Sequence, residues 1–192
     1  MDNDGRQDQW QCREIADGRL THSRLYWNRG DTTFVDATAA VTPLAQPSSR
    51  AAAWIDTDQD GRLDLLAAFT TGYPDSMPVT RCRPILYRNA GPAGAWIGLD
   101  LAGTPPNTDA IGASVQVWSQ GRPQWRQVGD GSGDGGSAPP LTLHVGLGEA
   151  DRADSVVVRW PWGDRETWRS LPAGRRHVLR QGTAPAGEPG GR

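Results

Sequence analysis

Lysine is missing from this chain of 192 residues, so all of its basic side chains are arginines. Without a lysine amine, catalysis through a Schiff base is excluded. The 20 basic residues stand against 22 acidic ones, which gives a formal net charge of −2. Because the arginines are scattered among acids, no basic field exists to attract nucleic acid. The sequence therefore predicts a protein with no nucleic-acid partner.

Long apolar runs and catalytic motifs are also missing. No segment reaches the length that spans a bilayer, so no membrane span is predicted, and the N-terminal residues lack the basic and apolar regions of a signal peptide. The three histidines have no metal-ligand spacing, and no serine or cysteine lies in a nucleophile elbow. We therefore predict no catalytic residue, and we expect His144, within an apolar strand, to be packed or hydrogen-bonded.

Cysteine is scarce, with Cys12 and Cys82 as the two examples. Their spacing is not that of a redox or metal motif. Two interpretations remain open: a disulfide between neighbouring repeats, or two small thiols that are buried or free.

Turn residues are abundant, since the chain has 24 glycines and 15 prolines beside 36% apolar residues. Short apolar or alternating runs between such turns are typical of an all-β fold. In the first half, residues 70–84 contain three prolines and are expected to be irregular. Strands are predicted at 24–28, 51–56, 63–69, 85–89, 96–102, 114–119, 124–128, 141–145, 155–160, 165–171 and 176–180.

The densest chemical signal is an acidic loop at residues 56–64, with sequence DTDQDGRLD. Oxygen ligands at this spacing can surround one hard cation, and Gly61 allows the sharp turn that brings them together. The alternative is a solvated acidic turn without metal, because such residues also favour turns. The predicted calcium ligands are the side chains of Asp56, Asp58, Asp60 and Asp64 with the carbonyl oxygen of Arg62.

The loop opens like an EF-hand, and the residues around it separate the two possibilities. An EF-hand needs a glutamate at its twelfth position and a helix on each side. This chain has Ala67 at that position and short apolar runs on both sides. The pattern favours a calcium-binding β-hairpin.

A second copy of the loop lies at the N-terminus. Residues 2–8 align with residues 58–64 and match their acids, glycine and arginine. This adds Asp2, Asp4 and Asp8 as candidate metal ligands, and the chain is expected to begin inside a repeat. The segment 24–30 also echoes 84–91, so the self-similarity extends beyond the loop, as in propellers and arrays.

These motifs carry a resemblance to two families. Residues 25–38 followed by the acidic loop resemble the FG-GAP/VCBS repeat, the calcium-binding blade of integrin-type β-propellers. The motifs at 107–113, 131–133, 143–148 and 154–161 resemble the ASPIC/UnbV domain. The resemblance implies an incomplete propeller region at 1–93, truncated at its N-terminus, an antiparallel β-sandwich-like domain at 94–182 and a disordered tail at 183–192.

The resemblance also implies a function. It is that of a calcium-binding, non-enzymatic binding or scaffold protein with a recognition role, extracellular or in the cell envelope in its full-length form. The expected partner is an unknown protein or glycan. The alternative is a calcium-dependent enzyme or accessory factor in enediyne-type secondary metabolism.

Nine tryptophans invite a carbohydrate-binding interpretation, in particular near the arginines of the last strands. Trp160 shares a strand face with valines and is expected in the core. Trp162, between a proline and a glycine, is expected to be exposed.

Overall fold

The computed structural model describes residues 2–12, 23–41, 49–71, 81–129 and 140–185, and the regular secondary structure of these residues is almost entirely β-strand. They divide into two compact units. Of the described residues, unit 1 contains those between Arg6 and Gly91, and unit 2 contains Asp2–Gly5 and those from Pro92 onward. The all-β class predicted from the turn-rich composition is confirmed.

The described residues of unit 1 form two three-stranded antiparallel sheets and a helical turn, α1 (Thr38–Val41). In each sheet the strands follow one another in chain order, as in a propeller-type blade. The first sheet contains β1 (Gln9–Gln11), β2 (Arg24–Asn28) and β3 (Phe34–Asp36), and the second contains β4 (Ser49–Ile55), β5 (Asp64–Thr71) and β6 (Arg81–Tyr87).

The apolar cluster formed by the described residues of unit 1 is small. Leu65 and Ala67 on β5 are buried, and Trp10, Trp54 and Tyr87 pack against them with Ala52 and Ile85. Trp10 and Tyr87 lie with their ring centroids 6.4 Å apart. Among the described residues, unit 1 therefore buries far fewer apolar side chains than unit 2.

In the part of unit 2 that the structure describes, seven strands form two sheets around an apolar core. The sheets have the orders β10-β7-β13 and β12-β11-β8-β9, and β13 pairs with β7 in parallel while the other pairs are antiparallel. The strands are β7 (Ala95–Ala102), β8 (Ser114–Ser119), β9 (Arg122–Gln127), β10 (Leu143–Gly148), β11 (Arg152–Arg159), β12 (Arg165–Pro172) and β13 (Arg175–Arg180).

Alternation along these strands places valines and large apolar residues inward. Val115, Val117, Val156 and Val158 are fully buried, and Trp160 closes one end of the core at 1% exposure. The prediction that Trp160 lies in the core and Trp162 outside is confirmed, because Trp162 is 63% exposed.

Two segments that were expected to be irregular, 70–84 and the tail from residue 183, contain ordered residues. Strand β6 already begins at Arg81, inside the segment 70–84 that its prolines marked as irregular. Among the described strands β6 lies at the edge of its sheet, which is where a sheet tolerates a proline such as Pro84. At the C-terminus, the expected disordered tail starts at residue 183, yet Ala184 packs on the core of unit 2 and its N–H donates to Glu166. Residues 186–192 lie outside the described residues.

Candidate metal centre

The acidic loop connects two paired strands. Strand β4 ends at Ile55, β5 begins at Asp64, and the two residues face each other in the antiparallel register. Gly61 has a φ of +85° and Gln59 a φ of +60°, so the loop turns through two left-handed positions. The predicted β-hairpin is confirmed, and strands on both sides exclude an EF-hand.

Three of the predicted ligands come together. The carboxylate groups of Asp56, Asp58 and Asp60 each offer an oxygen within 4.8 Å of the others. Among the described residues no other group of three acidic, histidine or cysteine side chains is this close. Hard carboxylate oxygens in a turn of this kind form a donor set that suits Ca²⁺, so the residues fit the ion.

Hydrogen bonds fix the first of these carboxylates. Asp56 accepts the backbone N–H of Asp60 at 3.1 Å on one oxygen and that of Gly61 at 3.0 Å on the other. Each oxygen of a carboxylate has a second lone pair, so these bonds leave acceptor capacity for a cation.

Arginines neutralise the other two carboxylates. Arg88 forms an ion pair with Asp58, and Arg62 forms one with Asp60. Arg62 also donates from Nε to the carbonyl oxygen of Asn89 at 2.9 Å, so its side chain is held at both ends. Arg88 is 66% exposed, which makes it the more easily displaced of the two cations.

Asp64 has a different position from the other three acids. It is 3% exposed, and its oxygens accept the N–H of Asn89 at 2.8 Å and the hydroxyl of Thr57. The side chain therefore ties the end of the loop to the residues after β6. Ligation by Asp64 and by the carbonyl oxygen of Arg62 stays a prediction.

The first copy of the loop reproduces the local contacts of the second. Asp8 accepts the N–H of Asn28 at 3.0 Å, as Asp64 does from Asn89. Asn28 donates to the carbonyl of Gln7 at 3.2 Å, as Asn89 does to that of Leu63 at 3.4 Å. The sequence repeat is thus also a repeat of hydrogen bonds, in which the two asparagines are the positions that sequence reasoning missed. Their place in the echoed segments 24–30 and 84–91 was the available signal.

The acids of the first copy do not form a second carboxylate group in the described part of the chain. Asp2 accepts the N–H of Asp4 at 3.1 Å. Asn3 and Gly5, with φ of +60° and +88°, match the turn at Gln59 and Gly61. The backbone of this copy therefore has the turn of a metal loop, while metal binding by Asp2, Asp4 and Asp8 stays a prediction.

Two family models match separate parts of the chain. The model of the FG-GAP-like repeat matches residues 1–67, and the model named ASPIC and UnbV matches residues 103–186. This chain is an FG-GAP-like repeat followed by an ASPIC/UnbV domain. FG-GAP repeats generally bind calcium and usually occur in extracellular or envelope proteins, and the two domains together indicate a repeat-containing protein of the binding type. No curated protein matches the chain.

Contacts of the ASPIC/UnbV unit show how His144 is held. Its Nε2 lies 2.9 Å from Oδ1 of Asn3, and its ring stacks on Trp96 with centroids 5.4 Å apart. Burial and the nearby Arg126 charge lower the pKa of His144 to about 4, so the ring is neutral at pH 7. The expectation of a packed and hydrogen-bonded histidine is confirmed.

The short segment Asp2–Gly5 is fixed against glycine backbone in the same unit. Asn3 accepts the N–H of Gly148 at 2.7 Å, and Gly94 donates to the carbonyl of Asp2 at 2.7 Å. A Cβ on Gly146 would lie 2.5 Å from the carbonyl oxygen of Asn3. Only glycine at position 146 admits this close approach of two backbones.

Three further predictions concern a polar turn residue, the two cysteines and a membrane span. The side-chain amide of Asn107 donates from Nδ2 to the carbonyl oxygen of Ile111 and accepts the N–H of Ile111 on Oδ1, which is the role of a turn former. Cys12 accepts a hydrogen bond from the Ser49 hydroxyl at 3.2 Å. The side chain of Cys82 lies outside the described residues, so the pairing of the two cysteines stays open. No helix among the described residues is long and apolar enough to cross a membrane.

Proposed function

We propose that this chain is a calcium-stabilised, non-enzymatic recognition protein that acts outside the cell or in its envelope. The observation that carries the proposal is the convergence of Asp56, Asp58 and Asp60 in a hairpin of an FG-GAP-like repeat. Arg62 and Arg88 balance two of the three negative charges, and a divalent cation at the loop supplies the positive charge that the third carboxylate lacks. The family's usual calcium binding and usual location support the same conclusion.

The ion acts on stability in this proposal. The loop residues hold the ion, and the ion ties β4 to β5 beside the small core of unit 1. Because a calcium site forms only in the folded hairpin, its binding free energy adds to the free energy of unfolding. The partner is a protein or glycan that contacts a surface of the chain.

The test is thermal unfolding with and without calcium. At a calcium concentration 100 times its Kd, the free energy of unfolding rises by about 2.7 kcal/mol. For a chain of this size that corresponds to about 5–11 °C in Tm. The double variant D58A/D60A should lose the shift, while the exposed pair E149A/D151A in the other unit serves as the matched control. An equal Tm with calcium and with a chelator contradicts the proposal.

A further inference from the structure

The outer face of the four-stranded sheet in unit 2 carries two exposed tryptophans. The strand register arranges this face in three rows of four residues, one from each of β12, β11, β8 and β9. Trp118 is 36% exposed and Trp125 is 61% exposed, and they occupy adjacent rows on neighbouring strands. Gln116 lies beside Trp125 in the same row. Large aromatic rings exposed on one flat face are unusual unless they contact a partner.

The same face carries three arginines and no acid. Arg159 on β11 lies directly opposite Arg165 on β12, and Arg169 lies four residues, or two rows, further along β12. All three are exposed, and none has an acidic partner among the described residues. Like charges directly opposite each other destabilise a sheet. The Arg159–Arg165 pair is therefore unfavourable for the sheet itself, and the three arginines offer an unneutralised positive surface.

We propose that this face, the arginine–tryptophan face, binds an anionic polysaccharide. The three arginines pair with carboxylate or sulfate groups of the glycan, which they match in planar geometry. The two indoles pack against the apolar faces of sugar rings. From the strand spacing, the face is about 14 Å wide across four strands and about 13 Å long across three rows. This inference rests on the proposed recognition role and makes no use of the calcium loop.

The charge pattern favours a glycan over a nucleic acid. The whole chain has a net charge of −2, so the positive surface is a local patch without a wider basic field. The accompanying FG-GAP-like repeat is of a kind usual in extracellular or envelope proteins, where acidic polysaccharides are the abundant polyanions. A site that binds nucleic acid without sequence preference depends on a positively charged groove that follows the backbone of the nucleic acid.

The experiment is a calorimetric titration of the full chain with three probes. Polygalacturonate presents carboxylates, dextran sulfate presents sulfates, and neutral dextran presents neither. We expect one or both acidic polymers to bind and neutral dextran not to bind. The variant W125A and the double variant R159Q/R165Q should each weaken binding about tenfold or more. The double variant should also reduce the dependence of binding on salt, because two ion pairs are lost.

Two control variants show whether the loss of any exposed tryptophan or arginine weakens binding. W162A removes an equally exposed tryptophan in a turn, and R175Q removes an exposed arginine on β13, both outside the face. Binding that these two weaken as much as the face variants do would overturn the inference, as would tighter binding of oligothymidylate than of either acidic glycan. All variants are checked by thermal unfolding, and R159Q/R165Q should be at least as stable as the parent chain.

Measurements with and without calcium distinguish a failure of this inference from a failure of the proposed function. The titrations are run in a chelator as well as in calcium. Glycan binding that persists in a protein without calcium-dependent Tm would refute the calcium role and leave this inference standing. A calcium-dependent Tm with no binding of either acidic polymer would overturn this inference alone.

Discussion

Replacing Arg88 with glutamine should tighten calcium binding at the acidic loop. Arg88 forms an ion pair with Asp58, one of the three converging carboxylates, and a cation at the loop competes with this guanidinium. The pair is exposed, with 66% of the arginine and 36% of the aspartate accessible, so it is worth about 0.2–1 kcal/mol. If calcium binding requires the pair to break, its removal raises calcium affinity by about 1.4- to 5-fold.

The measurement is the calcium Kd of R88Q and of the parent chain from calorimetric titration at fixed ionic strength. R175Q makes the same change of net charge far along the sequence in the other unit and serves as the control. R62Q provides a contrast, because Arg62 also holds the Asn89 carbonyl and its loss should lower the Tm of the calcium-free protein. A Kd for R88Q equal to or weaker than that of the parent would refute the competition.

Three further predictions concern stability. G146A should lower the free energy of unfolding by about 1–3 kcal/mol in chemical denaturation, since its Cβ meets the Asn3 backbone; an unchanged midpoint would contradict this contact. N89A should cost about 1–2 kcal/mol, because the N–H of Gly91 and a backbone carbonyl each lose a partner; N28A, the equivalent change in the first copy, is the comparison. Lowering the pH from 6.5 to about 4 should destabilise the protein by about 3 kcal/mol, because the unfolded chain binds the His144 proton and the folded chain does not; H144Q should flatten this part of the pH profile.

The candidate metal loop was accessible from the sequence because its parts lie close together in the chain. Asp56, Asp58 and Asp60 are separated by single residues around a turn, so local geometry alone brings their oxygens together. The apolar runs beside them, too short for helices, predicted the hairpin. The partners of these acids were not predicted, since Arg88 and Asn89 arrive from the end of β6 through the pairing of β5 with β6.

The strands that the sequence did not predict also have physical explanations. Strands β1 and β3 have three residues each and were missed, because so short a run has no measurable periodicity. The start of β6 was missed because a proline counts against a strand in sequence terms, and only its edge position makes it acceptable. Whether a strand lies at an edge depends on the order of the strands in the sheet, which the sequence of one strand does not contain.

By itself the sequence determined the all-β class, the repeated acidic loop and the two families, because each depends on residue types at short, regular spacing. The tertiary structure decided the parallel pairing of β13 with β7, the position of Asn3 against Gly146 and the rows that place Arg159 opposite Arg165. These depend on the register between strands distant in the chain. A shift of one residue in that register would turn every side chain of a strand to the other face.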